Sequence, residues 1–151
     1  MEKSQNGWPA SANPAEIHIE SFPVAGTNIK FRCAKDCGKI LAAFAADFHS
    51  QVEPIDEGSL DDWGYAYRAV RGQKEVLSNH SSGTAIDLNS KKHPLGKENT
   101  FKPVQIVVIR QLIQKYHLRW GGDYKGRKDD MHFEIIQTPE QVRELIKQLA
   151  L

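Results

Sequence analysis

The sequence predicts a single small α+β domain, an antiparallel sheet with flanking helices, on three observations. The chain has 151 residues, 40% of them hydrophobic, enough for one compact core but not comfortably for two. Some stretches place apolar residues at helical spacing and others alternate with period two. Strand-like and helix-like stretches come in clusters rather than strict alternation, with no internal repeat or low-complexity tract.

Residues 1 to about 15 are rich in Ser, Asn, Pro and Gly and read as an irregular lead-in. IHIESF and NIKFRC then alternate as short strands do. From about Ala34 to Gln51, Cys37, Leu41, Phe44 and Phe48 recur at four- and three-residue steps, so a helix can lay one face on a sheet. A second helix is predicted from Pro103 to Tyr116, with Pro103 suited to its first turn and Val104, Val108, Leu112 and Tyr116 as its stripe. Thr138 to Gln141 form a capping box, and Val142, Leu145, Ile146 and Leu149 follow on one side of a last helix. WGYAYRAV, TAIDL and MHFEII supply further strands.

The formal net charge is +1, which leaves no broad basic surface for phosphates, so nucleic acid is not an expected partner. The N-terminus lacks the uninterrupted apolar stretch of a secretion signal, and no later stretch is long enough to cross a membrane. The expectation is a monomer made in the cytoplasm with no membrane partner. Cys33 and Cys37 lack neighbouring metal ligands, and their spacing suits one face of a helix, so a buried or half-buried thiol pair is expected.

Two segments carry chemistry. In SNHSSGTAIDL, a strand at TAIDL turns Ile86 and Leu88 to one face and Asp87 to the other. Gly83 permits a tight reversal that returns His80 to the side of Asp87. In DDMHFEI, Met131, Phe133 and Ile135 form an apolar face, which leaves His132 and Glu134 opposite. Two histidines and a carboxylate suit a zinc ion with one open position, and Asp129 stands three residues before His132 to take a proton. Each residue also has an ordinary use, as a turn cap, a partner for arginine or a solvated acid. The alternation alone serves a metal site and a solvated sheet face equally.

With SNHSSGTAID followed by DDMH, the chain resembles the VanY-like family of zinc D-Ala-D-Ala carboxypeptidases, dipeptidases and L-alanyl-D-glutamate peptidases, especially its phage endolysin branch, from about Gly64 to Ile136. The resemblance implies a Hedgehog/DD-peptidase-like fold and one Zn2+ ion on His80, Asp87 and His132. Asp129 falls at the acidic catalytic position, with Asp130 beside it as the other acid. Arg68 matches an arginine on the strand before the first histidine that holds the substrate's carbonyl or carboxylate, and Arg71 follows closely. Ser78 is the motif serine, and Trp120, Asp123 and Tyr124 belong to a loop bordering the cleft. Glu134 would orient His132 through its other ring nitrogen. His18, His49, His93 and His117 match no ligand position, His93 being the first rival.

The implied substrate is a peptidoglycan stem peptide, cut by an endolysin acting on the cell wall after release, at the L-alanyl-D-glutamate bond. A D-Ala-D-Ala carboxypeptidase or crosslink-cutting peptidase shares the same site. A zinc-stabilised binding module is the reading outside enzymes.

Overall fold

The computed structural model describes residues 1–151. Its strands are β1 (Ile19–Pro23), β2 (Lys30–Ala34), β3 (Ala69–Val70), β4 (Gln73–Leu77), β5 (Ala85–Asp87), β6 (Leu118–Trp120) and β7 (His132–Ile135). Its helices are α1 (Gly38–Gln51), α2 (Pro103–Tyr116) and α3 (Pro139–Gln148). The class is α+β as expected, but the strands divide into three small antiparallel sheets: β1 with β2, β3 with β4, and β5-β7-β6 with β7 at the centre.

The β5-β7-β6 sheet divides the domain into a dry side and a wet side. Phe133 and Ile135 of β7, with Ile86 of β5, face the core, and α1 lies against them. Phe44 meets Phe133 with ring centroids 4.7 Å apart and Phe48 meets it at 5.8 Å. The α1 stripe read from the sequence, Leu41, Phe44 and Phe48, is fully buried. At roughly 2–3 kcal/mol for each large side chain removed from water, this layer carries much of the driving force.

Helix α2 has the expected bounds, but its buried stripe is Ile109, Leu112 and Tyr116, and Val104 in its first turn is 69% exposed. At the start of α3 the Thr138 hydroxyl accepts from Gln141 N–H and the Gln141 side chain accepts from Thr138 N–H, the reciprocal cap read from the sequence.

The thiols are buried and free, but they do not share a helix. Cys33 belongs to β2 and Cys37 stands at the α1 N-cap. Burial pushes the Cys33 thiol up to about 12 and Cys37 well above its usual value, so both are unreactive at neutral pH.

The N-terminal residues have little regular structure yet are not loose. Trp8 and Ala10 are buried, Trp8 Nε1–H donates to Gln137 O, and Asn6 Nδ2–H donates to both Thr84 Oγ1 and Ile135 O. No helix is long and apolar enough to cross a membrane.

Candidate metal centre

Strand register builds the centre. Asp87 of β5 is the cross-strand partner of His132 of β7, while Ile86 pairs with Phe133. Because neighbours alternate faces, the apolar pair enters the core and the polar pair emerges together on the other side. Asp87 Oδ1 lies 3.0 Å from His132 Nδ1.

His80 arrives by a different route. Residues Asn79–Ser82 form one turn of 3-10 helix, capped by the Ser78 hydroxyl and ended by Gly83 at φ 69°. A β-carbon at Gly83 would lie 2.6 Å from Ala34 N and 2.5 Å from Ile19 Cδ1. Both the left-handed backbone and the close approach to β2 therefore call for glycine. The turn brings His80 Nε2 to 3.2 Å from Asp87 Oδ1, with the imidazoles of His80 and His132 5.0 Å apart.

Ring hydrogen bonds assign the nitrogens. His80 Nδ1 lies 2.8 Å from Gly64 O, an acceptor only, so Nδ1 carries a proton and Nε2 is the nitrogen left to face Asp87. That Nε2 is buried without a hydrogen-bond partner, although it stands close to Asp87. Facing the Asp87 carboxylate, this nitrogen calls for a cation between the two, either a proton of its own or a metal ion. His80, Asp87 and His132 each offer one ligand atom, all within 4.8 Å of one another, which is the arrangement three ligands of one ion require.

His132 sits between two carboxylates, with Nε2 3.0 Å from Glu134 Oε1. Burial works against its charge, but hydrogen bonds and charges from Asp87 and Glu134 prevail and raise its pKa to about 10. Burial likewise works against Asp87 and Glu134, yet the histidines keep Asp87 far below the usual carboxylate range and His132 holds Glu134 below it. Glu134 is itself fixed by Asn79 Nδ2–H and Tyr124 O–H, which donate to its two oxygens. Burial and the Glu134 charge push the Tyr124 hydroxyl far up, so it remains a donor.

The two neighbouring acids separate. Asp130 Oδ2 accepts from Thr100 N–H at 3.1 Å and from the Thr100 hydroxyl at 2.6 Å. Asp129 lines the cleft, with its Oδ1 buried and without a partner. Burial raises its pKa and the Asp87 charge adds to this, against His132, His80 and Arg68. Gly121 permits the placement, because a β-carbon there would collide with Asp129 O.

A cleft of about 760 Å3 opens over these groups. Arg68, Arg71, Ser78 and Tyr124 line it with the triad and Asp129. Arg68 lies just before β3 rather than within a long strand, and its backbone is tied to the His80 turn through Ser78 N–H and the Ser81 hydroxyl. Met131, expected in the core, lines the cleft instead, since β7 begins only at His132.

Trp120 and Asp123, expected at the substrate, lie elsewhere. Trp120 is buried, stacked in line with Phe133 and donating from Nε1 to Asp130 O. Asp123 makes a two-pronged ion pair with Arg110 of α2. His93 is no rival ligand, as its ring nitrogens meet Glu53 at 2.7 Å and Thr100 at 2.6 Å. Gly64 O was not found from the sequence, because a carbonyl acceptor carries no residue signature. The aromatic Trp63, which lines the cleft while pairing its backbone with Asp87, was read only as a strand residue.

Residues 71–135 match the family model described as D-alanyl-D-alanine carboxypeptidase, of the M15 peptidases. The VanY-like resemblance read from the two motifs is thus shown over a segment that contains His80, Asp87, Asp129 and His132. No curated protein and no solved structure gave a match.

Proposed function

We propose that the protein is a zinc peptidase that hydrolyses peptidoglycan stem peptides, with the L-alanyl-D-glutamate bond as its target, acting as an endolysin on the cell wall after release. One observation carries the reading: His80 Nε2, buried without a hydrogen-bond partner, converges with Asp87 and His132 beside Asp129, within the segment the peptidase family model matches.

His80 through Nε2, Asp87 through Oδ1 and His132 through Nδ1 would hold the ion, while Gly64 O and Glu134 fix the other ring nitrogens. Zinc supplies Lewis acidity there, making water reactive near neutral pH. Asp129 takes the water's proton at its unpartnered oxygen and returns it to the leaving amine. Arg68 holds the carbonyl or an adjacent carboxylate, an electrostatic contribution of roughly 3 kcal/mol in comparable sites.

Val70, Gln73, Pro94 and Leu95 line the same cleft as the centre, which gives room for a peptide longer than the cut bond itself. The family description favours a second reading, a carboxypeptidase releasing terminal D-Ala. Incubation of the zinc-loaded protein with soluble muropeptides, followed by mass spectrometry, separates them. A new amino terminus at D-Glu is expected, free D-Ala would establish the carboxypeptidase, and intact muropeptides would leave only a binding module.

A further inference from the structure

The residues before β1 lie outside the segment that the peptidase family model matches, yet one of them reaches toward the metal centre. Asn6 is held by its side chain, whose Nδ2–H donates to Thr84 Oγ1 at 2.8 Å and to Ile135 O at 2.9 Å, while its Oδ1 accepts from the Ser4 hydroxyl at 2.8 Å. These bonds fix Asn6 between the approach to β5 and the end of β7. Its backbone N–H is thereby aimed at Asn79 Oδ1, 2.9 Å away.

From that N–H the hydrogen-bond directions follow one another. A backbone N–H can only donate, so the Asn79 atom that meets it is the carbonyl oxygen, and the amide nitrogen is turned the other way. That nitrogen donates to Glu134 Oε2. The other carboxylate oxygen, Oε1, lies 3.0 Å from His132 Nε2. A carboxylate only accepts, so Nε2 carries a proton and Nδ1 is the nitrogen left for an ion. Asn79, Glu134 and His132 are all buried, where an amide turned the wrong way would set its oxygen against the carboxylate with no water to separate them.

We propose that Asn6 and Asn79 are positioning residues of the metal centre: the Asn6 N–H sets the direction of the Asn79 amide, which holds Glu134 where it orients His132 toward the ion. This rests on the metal centre described above and not on which bond is cut. It makes the N-terminal segment a part of the centre, although its composition reads only as an irregular lead-in.

The test measures zinc affinity by competition with a chromogenic chelator, together with the visible absorption bands of the cobalt-loaded protein, which report ligand geometry. Asn79→Ala should weaken zinc binding by about 10–100-fold, the usual cost of losing a group that orients a metal-bound imidazole, and should alter the cobalt bands. Asn6→Ala, at a half-buried position, releases the N–H from its anchors and should also weaken zinc. The double variant Asn6→Ala/Asn79→Ala should bind zinc as Asn79→Ala alone does, because both substitutions break one path. Ser82→Ala is the control. Its hydroxyl is buried in the same turn as His80 and bonds Ser4, Thr84 and Asn79 O, but it stands off the path. That variant should lower the urea midpoint and leave zinc affinity and cobalt bands as in the parent. Parental zinc affinity in Asn79→Ala, additive losses in the double variant, or an equal loss in Ser82→Ala overturns the positioning role. Should Asn79→Ala fail to fold, Asn6→Ala against Ser82→Ala decides alone. A parent that takes up no zinc sinks the metal centre and this role with it, whereas zinc held equally by every variant sinks the role and leaves the centre standing.

Discussion

Asp129 and Asp130 are consecutive in the turn that leads into β7 but have different surroundings. The Asp130 carboxylate is consumed by Thr100, while Asp129 Oδ1 is buried in the cleft wall with no partner. Asp129→Asn should lower kcat by about 10²–10⁴-fold, the range of a lost proton-transfer group, with zinc stoichiometry unchanged by elemental analysis. Asp130→Ala should instead strand Thr100 and cost about 1–3 kcal/mol in urea unfolding. If Asp130→Ala abolishes turnover in a protein of parental stability, the assignment of the two acids is reversed.

Zinc should stabilise the fold, because its ligands come from β5, β7 and the His80 turn and are assembled only when these are in place. At a metal concentration 1,000 times Kd the gain is about 4 kcal/mol. Differential scanning calorimetry should show a Tm increase with zinc that a chelator reverses. In His80→Ala the increase should disappear, since the remaining Asp87 and His132 cannot hold the ion alone. An undiminished increase in that variant would place the metal elsewhere.

Half of the centre could be read from the sequence for a simple reason. Asp87 and His132 lie on strands whose alternating neighbours, Ile86 and Phe133, are apolar, so register alone brings the pair to one side. Gly83 marked the turn that returns His80. What escaped the sequence has an equally physical cause. β6 shows only Leu118, Arg119 and Trp120, too short for alternation to signal a strand, and β4, in a two-stranded hairpin with mostly exposed residues, shows no buried face. Trp120 and Asp123 sit in the same short segment as Tyr124, but only Tyr124 lines the cleft. Nothing local reveals that Arg110, on α2, claims Asp123.

Asp62 should give stability an unusual slope with pH. Burial, with the Asp61 and Asp56 charges, raises its pKa to about 6 against the Asn89 N–H that donates to it. Its carboxyl therefore holds a proton more tightly when folded than when unfolded, where the value is near 3.8. The resulting stability is fully present below about 3.8 and is lost as pH rises through about 6. Urea unfolding across pH 4 to roughly 7 should show Asp62→Asn gaining on the parent over that interval. A constant difference between the two proteins would mean that the carboxyl titrates normally.

His93, the one histidine that competed with the triad on sequence, is expected to matter for the fold and not for the metal. Its ring stacks on Phe101 at 3.8 Å and bridges Glu53 to Thr100, which in turn bonds Asp130. Glu53 also accepts from Asn89, so the bridge ties α1's trailing segment to the loop that leads into α2. His93→Ala would remove one of the two hydrogen bonds that Glu53 Oε2 and the Thr100 hydroxyl each make, and its stack on Phe101, at a cost of about 1–3 kcal/mol. Zinc should still bind in a one-to-one ratio with little change in affinity, because no triad atom touches His93. His93→Gln, which can hydrogen-bond through its amide to one of the two neighbours, should recover part of the stability. Loss of zinc binding in a folded His93→Ala protein would return this residue to the list of ligands.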